Sequence, residues 1–142
     1  MSDQVIDVEI NISAPIDVVW DALTNPNVTE KYWGGSTRVD SYWKKGSTIY
    51  YRRNGEIVDK HELLEIVPNR FIEHTFNPMF GEFKGESSSL VSIILSKEQS
   101  ATRVTVFHRN FQPSSKVYAA CSSGWPNILT SLKTLLEGEN HA

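Results

Sequence analysis

Residues 122–138 read SSGWPNILTSLKTLLEG. Trp125, Ile128, Leu129, Leu132, Leu135 and Leu136 recur at three- and four-residue spacing, the period of one helix face. Ser114 or Ser115 is placed to cap this helix, Lys133 suits the dipole at its far end, and Gly138 is placed to stop it. Gly124 and Pro126 are both poor helix-interior residues, yet they bracket the large ring of Trp125. The proline removes one backbone hydrogen bond and favours a bend, and the glycine would allow another backbone to approach closely. A long helix with a single apolar stripe needs a surface to cover.

The residues before it supply that surface. Strand-like runs occupy 37–40, 47–53, 56–67, 70–77, 88–96 and 101–109. Gly46, Asn54–Gly55, Pro68–Asn69 and Lys97–Ser100 are the turns between them, and Asn54–Gly55 is the strongest hairpin signal. FNPMFGEFKGESSS (76–89) reads as an irregular loop or distorted strand edge. Nearer the N-terminus, VIDVEINI (5–12) alternates, with Ile6, Val8, Ile10 and Ile12 on one face. Ser13–Pro15 announces a helix with Ile16, Val19, Trp20 and Leu23 inside, and Asn25–Pro26 ends it. A second short helix from about Asn27 to Trp33 stops at Gly34–Gly35. Strand, one or two short helices, about six turn-linked strands and a long helix predict an α+β fold. Its antiparallel sheet has one face covered by the C-terminal helix.

At 142 residues, with 39% hydrophobic and 22% charged residues, the chain is expected to form one domain over 1–142. The formal net charge of −3 argues against a nucleic-acid binder, which carries a basic face. Cys121 is the single cysteine, so no intrachain disulfide forms. No apolar run approaches a membrane span and the N-terminus has no signal-peptide pattern, so the expected location is cytoplasmic.

The same order, with INISAPIDVVWDALTNP (10–26), YWGG (32–35), Trp43 and Lys45–Gly46, resembles the START-like (SRPBCC) helix-grip superfamily. LLEIVPNRFIEHTF (63–76), TRVTVFH (102–108) and GWPNILTSLKTLLEG (124–138) carry the resemblance through nearly the whole chain. It is most similar to the family of activator of heat-shock protein 90 ATPase homologues. The resemblance implies a curved sheet of six to seven strands wrapped around the long helix, with a cavity between them. The helix's N-terminal half would roof that cavity, with Trp125 at its inner boundary.

No G-x-S-x-G, phosphate-cradling glycine loop or H-E-x-x-H is present, so no catalytic residue, metal or cofactor is assigned. His61, His74, His108 and His141 form no metal spacing with one another or with Cys121. His74 shares a strand face with Ile72 and Phe76, and His108 with Val104 and Val106, so both are expected to look inward. A histidine on an apolar face is usually a satisfied core group. The functional reading is a ligand anchor or a general base. Asp59 and Glu65 fall on the strand face of His61 and Leu63, which suggests a solvent-facing stretch. Tyr118 and Cys121 lie on the stripe of Trp125, the thiol as a buried packing group rather than a nucleophile. With Trp33, Phe76, Phe80, Phe83 and Phe111 they make an aromatic-rich set suited to lining an apolar pocket, or to filling a core.

Three functions follow. The first is a binding domain for a small hydrophobic or amphipathic molecule in the cavity. A second is a chaperone partner, an activator of the heat-shock protein 90 ATPase, as the family name implies. The third is an enzyme of the polyketide cyclase or hydrolase kind found on this fold, with His74, His108 or Tyr118 as acid or base.

Overall fold

The computed structural model describes residues 4–79 and 81–139. Phe80 and His141 lie outside the described residues. Strand β1 (Ile6–Ile12) is followed by helices α1 (Ile16–Thr24) and α2 (Pro26–Tyr32). Six strands come next: β2 (Arg38–Asp40), β3 (Thr48–Arg53), β4 (Glu56–Val67), β5 (Phe71–Phe76), β6 (Ser89–Glu98) and β7 (Ala101–Arg109). A single 3-10 turn, Gly81–Phe83, interrupts the β5–β6 connection, and α3 (Lys116–Glu139) ends the described chain. The strands form one antiparallel sheet in the order β1-β7-β6-β5-β4-β3-β2. This is the helix-grip architecture that the residue pattern and the resemblance imply.

Local chemistry sets the joints. Asn54 and Gly55 both adopt positive φ, 55° and 83°, the geometry of the tight turn that joins two twisted strands. Asn25 ends α1, and its side chain accepts the Asn27 N–H, so it also caps α2, with Pro26 as the first residue of that helix. Pro26 therefore starts a helix as well as following one. Pro15, not Ser13, stands at the start of α1 and makes no side-chain cap. The Ser13 N–H instead donates to Glu137 at the far end of α3.

Ser115 Oγ accepts the Tyr118 N–H at 2.9 Å, which settles the cap of α3. The Glu86 carboxylate reinforces it, accepting the Lys116 N–H at 3.0 Å as well as the Ser115 hydroxyl. A carboxylate at a helix N-terminus meets unpaired N–H groups and the positive dipole end. The irregular segment before β6 is thereby tied to the helix. Residues 77–79 also run along β4, with Lys60 N–H donating to Asn77 O and Met79 N–H to Val58 O. At the other end, α3 continues to Glu139, and Gly138 has no positive φ, so it lies within the helix instead of stopping it.

One apolar core lies between sheet and helices. Ile12, Leu95, Val104 and Val106 from the sheet, Val19 and Leu23 from α1, and Leu129, Leu132 and Leu136 from α3 are all buried within it. Register shifts between Tyr51 and Arg52 and between Leu63 and Glu65 mark irregularities on both sides of β4. Such irregularities bend a strand and change which residues face inward. Here His61 and Leu63 point into the core while Glu65 faces solvent.

Candidate functional site

Between the first half of α3 and the β3–β4 end of the sheet is a half-open cavity of about 140 Å³. That volume is close to the size of a site that takes one benzene-like ring, on the order of 150 Å³. Its floor is aromatic. Trp33 and Trp125 meet edge to face at 6.0 Å between ring centres, and Phe76 lies 6.4 Å from Trp125. Phe83 and Pro78 come from the β5–β6 segment. Val117, Ala120, Cys121, Gly124 and Ile128 of α3 close the roof, and Arg53 and Asp59 bring charge to an otherwise apolar wall.

The roof answers the question posed by Gly124 and Pro126. A Cβ built on Gly124 would meet nothing within 4 Å, so no backbone approaches it and the expected close contact is absent. The space beside Gly124 belongs to the cavity that it lines. The glycine leaves volume where any other residue would project a side chain. Pro126 is on the exposed face of α3, and the helix runs through it. Ser122, whose carbonyl loses the proline's missing N–H, is exposed as well, so water can reach that oxygen. Trp125 between them is 4% exposed.

Beneath the floor, Trp125 is held by a polar chain. Its Nε1–H donates to His108 Nδ1 at 3.0 Å, and His108 Nε2 lies 2.7 Å from Ser89 Oγ. Nδ1 is an acceptor here, so the ring is neutral with its proton on Nε2, donated to the serine. Burial, then repulsion from His61 and Arg109, lowers the His108 pKa to about 3. A base so weak does not take a proton near neutral pH. His74 is equally depressed, to about 3, by burial and then by His61, and its Nδ1 hydrogen-bonds Thr75 O at 2.6 Å. It faces an inner space of only about 10 Å³, shared with Trp33, Leu23 and Ile93, where side chains fill the volume.

Of the sequence candidates, Trp33, Phe76, Phe83, Cys121 and Trp125 line the cavity. His74, His108, Phe111 and Tyr118 do not. The last three pack on one another outside its lining, with His108 4.4 Å from Phe111 and Phe111 5.2 Å from Tyr118 between ring centres. The Cys121 thiol is pushed up to about 12 by burial, then by Asp59 and Glu86, which keeps it protonated and unreactive.

Sequence reasoning missed two residues. Asp59 is not solvent-facing: its side chain is 13% exposed and lines the cavity. His61, 1% exposed, stacks between His74 and Phe76, at 4.9 and 4.8 Å. The Asn77 N–H donates to His61 Nδ1 at 2.9 Å, which leaves the ring proton on Nε2. That Nε2 is buried without a hydrogen-bond partner, 3.6 Å from Asp59 Oδ2. The alternation of His61 with Leu63 marked the face; the two charged residues beside them hid which way it pointed.

Among the described residues no group of three or more His, Cys, Asp or Glu side chains could hold a metal ion, and no helix is long and apolar enough to cross a membrane.

These features sit in a known family setting. No curated protein matches the chain. A Mesorhizobium loti protein of solved structure is 25% identical, with 94% of this chain and 96% of that one covered and a TM-score of 0.78. The Aha1 dimer from Colwellia psychrerythraea is 26% identical over 94% of this chain and 96% of that one, with a TM-score of 0.75. A Cytophaga hutchinsonii protein is 26% identical over the full length of both chains, with a TM-score of 0.76. Residues 13–137 match the family described as activator of Hsp90 ATPase homolog 1-like protein, and by that match the chain belongs to this family.

Proposed function

We propose that this chain is a cytoplasmic binding domain that holds one small hydrophobic or amphipathic molecule in the cavity between its sheet and the first half of α3. The observation that carries this reading is the volume beside Gly124. A half-open, aromatic-floored recess of about 140 Å³ that a glycine leaves unfilled is the concave, mostly apolar kind of space that takes a small molecule. Trp125 is fixed by His108, and Ser89 fixes His108, so the floor is set before any ligand arrives. Such preorganisation lowers the ordering cost of binding.

Native mass spectrometry of the purified chain, set beside its denatured mass, tests the reading together with thermal shifts against small aromatic and short-chain amphipathic compounds. A ligand present at one hundred times its Kd raises stability by about 2.7 kcal/mol through mass action. Gly124→Leu places a side chain in the cavity and is expected to abolish that shift while the protein remains folded. If Gly124→Leu binds as the parent does, the cavity is not the site. If neither protein carries or takes up a ligand, and the chain instead stimulates a chaperone ATPase, the family's namesake activity replaces the binding role.

A further inference from the structure

The apolar wall of the cavity is broken by Asp59, and the chemistry there is specific. Asp59 presents a carboxylate with no hydrogen bond among the described residues. Behind it, His61 Nε2–H is a fully buried donor with no acceptor, 3.6 Å from Asp59 Oδ2, which is too long for a hydrogen bond. A buried donor left unpaired costs about 1–3 kcal/mol, so the arrangement is poised for something that completes it. Resting on the binding role proposed above, we infer that Asp59 and His61 anchor a small neutral aromatic molecule bearing a hydroxyl, a ligand of the phenol class.

The ring half of this assignment comes from the walls. Trp33, Phe76 and Trp125 surround a space of one-ring size. The hydroxyl half comes from the pair. A hydroxyl donates and accepts at the same atom. It can give its hydrogen to Asp59 and, as the carboxylate shifts toward it, receive the His61 Nε2–H on its oxygen. An ammonium group offers only donors and leaves His61 unmatched. A ligand carboxylate would be repelled by Asp59. A plain hydrocarbon would bury Asp59 and leave it unpaired.

Amide NMR titration of the full chain with phenol, toluene, benzylamine and benzoate separates these cases. Phenol and toluene have nearly the same shape, so their difference reads the hydroxyl. Phenol is expected to bind about tenfold more tightly than toluene, the value of one good hydrogen bond to a charged group. Asp59→Leu should bring that ratio to about one, and Asp59→Asn should reduce it, which covers the case that the leucine variant does not fold. The His61 Nε2–H resonance should move with phenol and stay with toluene. Equal affinity for phenol and toluene in the parent protein would overturn the anchor while leaving the cavity role intact. Benzylamine or benzoate as the tightest probe would overturn the hydroxyl assignment. If none of the four probes perturbs residues around the cavity, the binding role itself is lost.

Discussion

The two halves of α3 solve opposite problems with one stripe. From Leu129 onward the inward positions are Leu129, Leu132 and Leu136, each at most 3% exposed, and the space against the sheet is full. In the first half the positions over the sheet are Val117, Cys121 and Gly124, with Ala120 beside them, and a cavity remains. Helical period and backbone are the same in both. What changes is side-chain volume, which falls toward Gly124 and then rises sharply at Trp125. Packing in one half holds the helix down, so the other half can leave a gap without detaching.

Acid should expose the difference most strongly, because the ring layer under the cavity depends on neutral histidines. His74 and His108 have folded pKa values of about 3 against an ordinary 6.5. The unfolded chain therefore binds more protons between these values, and stability falls as pH drops from about 6.5 toward about 3. Each ring contributes a slope of up to about 1.4 kcal/mol per pH unit in that window, and none from the two rings above it. Burial and the facing His61 and His108 depress His74, with the Thr75 carbonyl offsetting only part of that cost, and burial with His61 and Arg109 depresses His108. Urea unfolding at a series of pH values should show this slope, and His74→Phe should make it shallower. An unchanged slope in that variant would mean that His74 is not kept neutral by the fold.

Truncation sharpens the contrast between the halves. Leu132 is fully buried in the closed half, and Leu132→Ala should cost about 3 kcal/mol, a transfer loss plus a new void. Cys121→Ala, at the roof of an existing void, should cost under about 1 kcal/mol, because little packing is lost where partner atoms are already missing. Denaturant midpoints of the two variants at equal m-value decide it. Equal losses would mean that the roof is as tightly packed as the closed half. Trp125→Phe falls between them: it removes the donor to His108 Nδ1, and the orphaned acceptor and lost ring area together should cost about 1–3 kcal/mol.

The fold was readable because each element announced itself locally. The alternation in 5–12, the Asn54–Gly55 turn and the three-four spacing after Trp125 are signals of neighbouring residues, and the strands they predict coincide closely with β1 to β7. The inward direction of His74 and His108 was readable for the same reason, as His74 lies between Ile72 and Phe76 on its face and His108 follows Val104 and Val106. The cavity was only half legible. Aromatic composition suggested Trp33, Phe76, Phe83 and Trp125, but whether a ring lines a space or lies beneath it depends on the third dimension. Phe111 and Tyr118 pack against each other and do not line the cavity. Asp59 was misread because charge on a strand ordinarily means solvent. Only the pairing of residues 77–79 along β4, which covers that edge, turns the carboxylate toward an enclosed wall.

The smallest expected effect tests the reading of Gly124 directly. A glycine inside a helix costs about 0.5–1 kcal/mol relative to alanine through backbone entropy. Gly124→Ala meets no atom within 4 Å, so that gain should be realised in full, and the variant should unfold at a slightly higher denaturant concentration than the parent. The same methyl group takes volume from the cavity, so probe affinity should fall as stability rises. A residue that is only a packing compromise would show the first effect without the second. A residue that holds space open for a ligand shows both, with opposite signs. An alanine variant that is neither more stable nor weaker in binding would mean that the helix relaxes around position 124, and that the space beside it is not maintained by the absence of a side chain.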